Sequence, residues 1–422
     1  MAPRVELALG GSTTATARYL TWAPTQATLR VTDPDGATTP IRVRLRTKPG
    51  AKGRLWFRTA PAAAPTPAMN LDLATDGTPS PFLLSGRFGF PSTADRDTSL
   101  QVLLGTTTTV LAAIPTMIRI RKDAESLTTA ERNRFLSALA QLNNAGLGIF
   151  RQYRDSHTQV AVAEAHGRDG FWPWHRAFLL DLERALQTID ASVTLPYWRF
   201  DRPSPKLFTP TFIGGPGPTV AVIAPTNPLV AWQTDNQAGI PRTPQFDPAT
   251  SLATDPGFGP VSLEAVTTGS TSPYTQLRPV FETEPHGRAH TSFEGVISVI
   301  ASAARDPLFF LLHANVDRLW AKWQWFQDRW DDTLAPTYRY RGAAGQAGST
   351  RIGHNAMDTM WPWNDVTGGV RPPTAPRHPF PSSPAASAPP ATPTVGDMID
   401  FQGHADPALR QGFDYDDVPY EA

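Results

Sequence analysis

The sequence predicts three parts: a small β-sandwich-like domain over residues 1–115, a mainly α-helical domain over 116–370, and a Pro/Ala-rich linker with a C-terminal tail over 371–422. Three observations carry this division. Before Pro115 the apolar residues alternate with polar ones in short runs and show no helical period. After it come a helix-start signature at Thr128–Glu131 and a nearly all-apolar stretch from Asp306 to Trp320. From Arg371 to Thr394 proline, alanine and serine dominate, which is a linker composition.

In the first part, Ile41-Arg-Val-Arg-Leu-Arg46 alternates strictly, with Ile41, Val43 and Leu45 on one face and three arginines on the other. Thr28–Thr32 alternates too, and Asp33-Pro-Asp-Gly36 follows it as a turn. Arg54–Phe57, Pro81–Phe88, Ser99–Leu104 and Thr108–Ala112 are further strand candidates, a spacing that suits a sandwich. The arginine stripe reads as a solvated sheet face.

Met117–Arg121 is a last extended piece before the helices. Thr128 and Glu131 then form a capping box, and an amphipathic helix follows over 132–153, with Gly146 and Gly148 as kink points. A second helix is expected from near Pro173 through Leu186. A third starts at Asp306, a good N-cap, with Pro307 at the first helical position. Between them, 203–274 is rich in Pro, Gly and Thr, the composition of a long functional loop.

The histidines give these helices a purpose. There are nine, and six fall into two groups of three: His157, His166, His175 and His286, His290, His313. A step of nine residues is about two and a half helical turns, so the first three converge only if the backbone breaks between them. Gly167, Gly170 and Pro173 supply such breaks. His286 and His290, at i and i+4, project from one face of a helical turn. A single histidine such as His313 on an apolar helix is ordinarily a hydrogen-bonded core residue; its company changes that reading. His354, His378 and His404 read as ordinary surface residues.

Composition narrows the chemistry. Lys+Arg and Asp+Glu are both 38, so no electrostatic case exists for nucleic acid or an anionic membrane. No apolar run is long enough for a membrane helix, and Met1–Leu20 has no apolar core of a secretory signal. The expectation is a soluble protein, cytoplasmic or exported without a visible signal. Cysteine is absent, so any metal is held by histidine and oxygen. Di-iron carboxylate sites use Glu-x-x-His pairs, which are missing at these places. A mononuclear zinc enzyme has no use for a second trio. Imidazoles in threes, with an open position on each ion, suit copper and dioxygen.

His166-x8-His175 within HGRDGFWPWHRAFLLDLERAL resembles the first copper motif of the type 3 copper proteins, the tyrosinases, catechol oxidases and haemocyanins. EPHGRAH together with DPLFFLLHANVDRLW resembles the second, and Tyr338-Arg-Tyr340 is similar to a tyrosine motif near the end of the family's catalytic domain. The resemblance covers about residues 117–341. It implies a four-helix bundle holding two copper ions, each by one histidine trio. It further implies that Asp317 pairs with an arginine, either Arg119 or Arg121, and that Glu282 holds a water near the coppers. Gly287 stands where many monophenol-hydroxylating members carry asparagine, Thr291 borders the substrate entrance, and Ile300 falls at a gate over one copper. The implied activity is oxidation of o-diphenols to o-quinones with O2 reduced to water, on a small phenolic substrate. Some monophenol hydroxylation, o-aminophenol oxidation, or haemocyanin-like oxygen binding are the alternatives on the same site.

Overall fold

The structure, a computed structural model, describes residues 2–143, 146–158, 162–234, 236–255, 264–346 and 349–421. The chain forms two compact units, one of residues 1–120 with 383–387 and 412–422, the other of 121–382 with 388–411.

The first unit holds β1 (Arg4–Leu9), β2 (Tyr19–Leu20), β3 (Thr25–Asp33), β4 (Ile41–Thr47), β5 (Leu55–Arg58), β6 (Ala68–Leu73), β7 (Ser80–Gly86), β8 (Thr98–Leu104) and β9 (Val110–Ile118). They make two sheets, β1-β3-β7-β5 and β2-β9-β8-β4-β6. Pairing is antiparallel except for β2 with β9. The alternation read in β4 is what buries it: Ile41, Val43 and Leu45 are in the core, shared with Leu29, Phe57, Leu84 and Val102. Arg42 faces out and pairs loosely with Asp72 on β6.

The second unit carries α1 (Thr129–Leu142), α2 (Phe150–Ser156), α3 (Val162–Ala165), α4 (Phe171–Ile189), α5 (Glu264–Thr268), α6 (Tyr274–Phe281), α7 (Arg288–Thr291) and α8 (Leu308–Gln327). The capping box at Thr128–Glu131 is present, with Glu131 N–H donating to Thr128 Oγ1 at 3.2 Å. The single helix expected over 132–153 is instead two, α1 and α2; before α2, Gly148 has φ of +66°, which no right-handed helix continues through. Asp306 Oδ1 accepts from Leu308 N–H at 2.8 Å, so it caps α8 as its sequence suggested. Helix α4 packs directly on α8, and both are buried along nearly their whole length.

The stretch 371–422 is not a separate linker and tail. Arg184 on α4 donates to the carbonyls of Pro381 at 2.7 Å, Ala388 at 2.6 Å and Gln411 at 3.2 Å. Arg176 donates to Met398 O at 2.8 Å and stacks on Phe401. Within the first unit, Trp22 N–H and Nε1–H donate to Asp414 Oδ2 and Tyr415 O, both at 2.8 Å. An irregular chain can be core when buried donors satisfy its carbonyls, and composition cannot show that. A chain ending at residue 370 is therefore expected not to fold, because buried guanidiniums lose their acceptors. Circular dichroism and gel filtration check this; a folded, more active product would overturn it.

Candidate metal centre

Each trio of histidines comes together. His157 ends α2, His166 sits in the turn between α3 and α4, and His175 is in α4. His286 lies in a π-helical turn over Glu282–Gly287, His290 in α7 and His313 in α8. Ligand nitrogens of the first trio lie within 4.8 Å of one another, and so do those of the second.

Backbone carbonyls orient three of the rings. Nδ1 of His175 lies 2.8 Å from Phe171 O, that of His286 2.8 Å from Glu282 O, and that of His290 2.8 Å from Ile297 O. A carbonyl only accepts, so each proton is on Nδ1 and each Nε2 presents its lone pair. The Nε2 atoms of His175 and His286 are buried and have no hydrogen-bond partner among the described residues. Nε2 of His157 stands 3.0 Å from Nε2 of His166, and Nε2 of His290 stands 3.1 Å from that of His313. Metal–imidazole bonds of about 2.0 Å place neighbouring donors about 3 Å apart, so these pairs have the spacing of two ligands on one ion.

Electrostatics favours the same state. Burial, then the neighbouring imidazoles, pushes His157, His175 and His313 well below the usual histidine range. His286 is lowered in the same way. Burial brings His290 down to about 4, against the opposing pull of the Ile297 carbonyl. His157, His175, His286, His290 and His313 are thus neutral at neutral pH and offer lone pairs.

The trios face each other. His175 and His313 stack at 4.2 Å between ring centroids with planes 10° apart, and His166 and His286 are 5.9 Å apart. Phe309 stacks on His313 at 4.1 Å and meets His157 edge-on at 4.8 Å. Phe171 wedges from the other side, 4.8 Å from His175 and 5.0 Å from His286. A cavity of about 460 Å³ opens over His157, His166, His286 and His290. Gly287, Thr291 and Ile300 line it, as do Ser298 and Ala303, which carried no sequence signal. Ile300 is 48% exposed at its rim.

Glu282 reaches this cavity too. Its Oε1 accepts from Gly167 N–H at 2.6 Å and lies 3.3 Å from His166 Nδ1, while Oε2 is paired with Arg278. Burial opposes ionisation, but the His166 ring, the Gly167 amide and Arg278 together hold its carboxyl below the usual range.

Two expectations are corrected. The arginine on Asp317 is Arg121, at 3.3 Å, joined by Arg176 at 2.6 Å. Arg119 still belongs to the sheet: its N–H donates to Leu20 O at 2.8 Å and its guanidinium stacks on Tyr19. Strand β9 ends at Ile118, and the second unit begins three residues on, at Arg121. His354 is not a surface residue but 1% exposed, with Nδ1 accepting from Gly170 N–H at 3.0 Å and Nε2 donating to Ala163 O at 3.0 Å. His404 is half-buried and stacked on Trp330 at 4.3 Å; His378 is exposed. A buried histidine in an aperiodic loop leaves no trace in the sequence, since only its backbone partners distinguish it.

The family model for the common central domain of tyrosinase matches residues 147–326. The tyrosinase of Streptomyces glaucescens is 30% identical over 275 residues, which is 59% of this chain and 93% of that protein. Grixazone synthase of Streptomyces griseus is 31% identical over 266 residues, 49% of this chain and 85% of that protein. Among solved structures, a polyphenol oxidase from Thermothelomyces thermophila is similar with a TM-score of 0.45 and 20% identity, over 70% of this chain and 88% of that one. Among the described residues no helix is long and apolar enough to cross a membrane.

Proposed function

From the premise that the chain belongs to the tyrosinase family of type 3 copper oxidoreductases, we propose that it oxidises o-diphenols to o-quinones at a dicopper centre. His157, His166 and His175 would hold one ion, and His286, His290 and His313 the other. The observation that carries the reading is the pair of buried, partnerless Nε2 lone pairs on His175 and His286, one in each trio. Bound there, copper supplies the two-electron redox chemistry that couples phenol oxidation to reduction of O2 to water. This reading takes α2, α4, α6–α7 and α8 as the four-helix bundle of the family, and the two N-terminal sheets as a sandwich.

The protein's part is positional. Carbonyls of Phe171, Glu282 and Ile297 fix the tautomers of His175, His286 and His290, so these three imidazoles need no reorganisation on loading. Glu282, expected to hold a water, is read here as a positioning residue: its carboxylate keeps the His166 proton on Nδ1 and the lone pair on Nε2. The cavity is large enough for a planar phenol, and Thr291, Ile300 and Ala303 give it an edge that is mostly apolar. That opening favours an enzyme over an oxygen carrier, because a carrier has no need of room for substrate.

Gly287 sets the preference for diphenols. It lies on the cavity wall directly after His286 and has no side chain to help deprotonate a monophenol. Its φ of −59° is helical, so any residue is conformationally allowed. An added Cβ would stand 3.3 Å from Glu282 O, the carbonyl that orients His286, so that carbonyl must give slightly. Gly287→Asn is expected to raise the ratio of monophenol to diphenol kcat/KM by at least about tenfold. Side-by-side assays of a monophenol, a catechol and an o-aminophenol test the whole reading. A wild-type chain that turns over the monophenol as fast as the catechol would refute it.

A further inference from the structure

The turn that presents His166, between α3 and α4, is short, and one backbone hydrogen bond closes its end, from Phe171 N–H to Arg168 O at 3.1 Å. Side chains hold it from outside. Tyr274 Oη–H donates to Asp169 O at 2.5 Å, and Glu282 takes the Gly167 amide. His354 does more, because it grips both ends at once: Ala163 O through Nε2–H, and Gly170 N–H through Nδ1. Gly170 is the N-cap of α4, five residues before His175.

The grip is tight and well founded. A Cβ on Gly170 would lie 2.6 Å from Gly353 O and 2.8 Å from His354 Nδ1, so the two segments are in direct contact. Gly353 itself has φ of +84°, and a Cβ there would strike the Glu164 carboxyl at 2.6 Å. His354 is fixed in turn: its carbonyl accepts from Tyr338 Oη–H at 2.8 Å, and its amide donates to Asp358 Oδ2 at 3.3 Å. Glu164, on α3, is paired with Arg371 and accepts from Trp361 N–H at 3.1 Å. The same C-terminal stretch, 353–371, therefore braces the turn at three places.

We propose that His354 is a positioning residue for His166: by bridging Ala163 and Gly170 it sets the span of the turn and so governs retention of the ion at the His157–His166–His175 trio. It touches no ligand ring and does not line the cavity. The inference rests on the dicopper reading above. It predicts an effect on one ion of the two, which a general loss of stability would not give.

Copper-loaded full-length protein tests it by metal content, rate of removal by a cuprous chelator, and electron paramagnetic resonance of the oxidised form. His354→Gln keeps a donor for Ala163, His354→Asn keeps an acceptor for Gly170, and His354→Leu removes both. Wild type is expected to hold two coppers, and His354→Leu to lose one of them about tenfold faster. The remaining Cu(II), having lost its partner, would show a mononuclear signal. Gln and Asn variants should fall between. A folded Leu variant with two coppers lost at wild-type rates, or with both lost together, overturns the proposal. If the Leu variant does not fold, Gln and Asn variants that both match wild type overturn it, and selective loss of one ion from either supports it. Wild-type protein that takes up no copper is a different outcome: it defeats the dicopper reading and this inference with it.

Discussion

Replacing His286 by alanine is expected to leave one copper per chain and to lower catechol oxidation by roughly a thousandfold or more. The argument is local. His286 contributes a buried Nε2 without a protein partner, held in direction by Glu282 O at 2.8 Å. Its neighbours His290 and His313 alone leave two donors, and no cysteine exists to replace the third. The two trios act as a unit, so removal of one ligand costs the whole reaction and not a share of it. His175→Ala, on the other trio, should do the same for the same reason, since its Nε2 is equally buried and partnerless. Metal analysis with a catechol assay checks both. Either variant keeping two coppers and a tenth of the activity would sink the assignment.

How far the sequence foretold this site follows from what each residue needs. His286 and His290 were legible because an i, i+4 pair needs only one helical turn to converge. His313, alone on a mostly apolar helix, reads as an ordinary core residue, and only the company of His286 and His290 made it legible as a ligand. His157, His166 and His175 meet through breaks in the backbone, and the glycines and proline between them pointed to that without giving its shape. In the sheets β4 was legible through its strict alternation; β6 lacks a clean pattern, β2 is only two residues long, and β1, though Val5, Leu7 and Leu9 alternate, was missed as well.

What stayed hidden is tertiary. Phe171 and Phe309, which wedge the trios, look in sequence like any other apolar helix residues. Arg121 and Arg119 are of one type, two positions apart, and only the end of β9 decides which one reaches the helices. The stretch 371–394 looks like a linker because Arg184 is received there by the backbone carbonyls of Pro381 and Ala388, and composition records side chains alone.

Asp317→Ala is expected to destabilise the metal-free chain by about 3–5 kcal/mol, the cost of breaking a buried charge cluster. Asp317 lies one turn beyond His313 on α8 and receives Arg176, the residue after His175 on α4, at 2.6 Å. Its other oxygen faces Arg121, which is also held by Glu183 at 2.6 Å. All four side chains are buried, and two carboxylates balance two guanidiniums. Alanine would leave that balance short by one negative charge inside the helix pair that stacks His175 on His313. Arg176 keeps its carbonyl acceptors and its place over the Trp320 ring at 3.7 Å, so the fold should weaken without collapsing. Asp317→Asn keeps the shape and one acceptor, and should cost less. Measuring urea unfolding without copper separates this from lost metal affinity. An alanine variant within about 1 kcal/mol of the parent would mean the cluster is not what joins the two ligand helices.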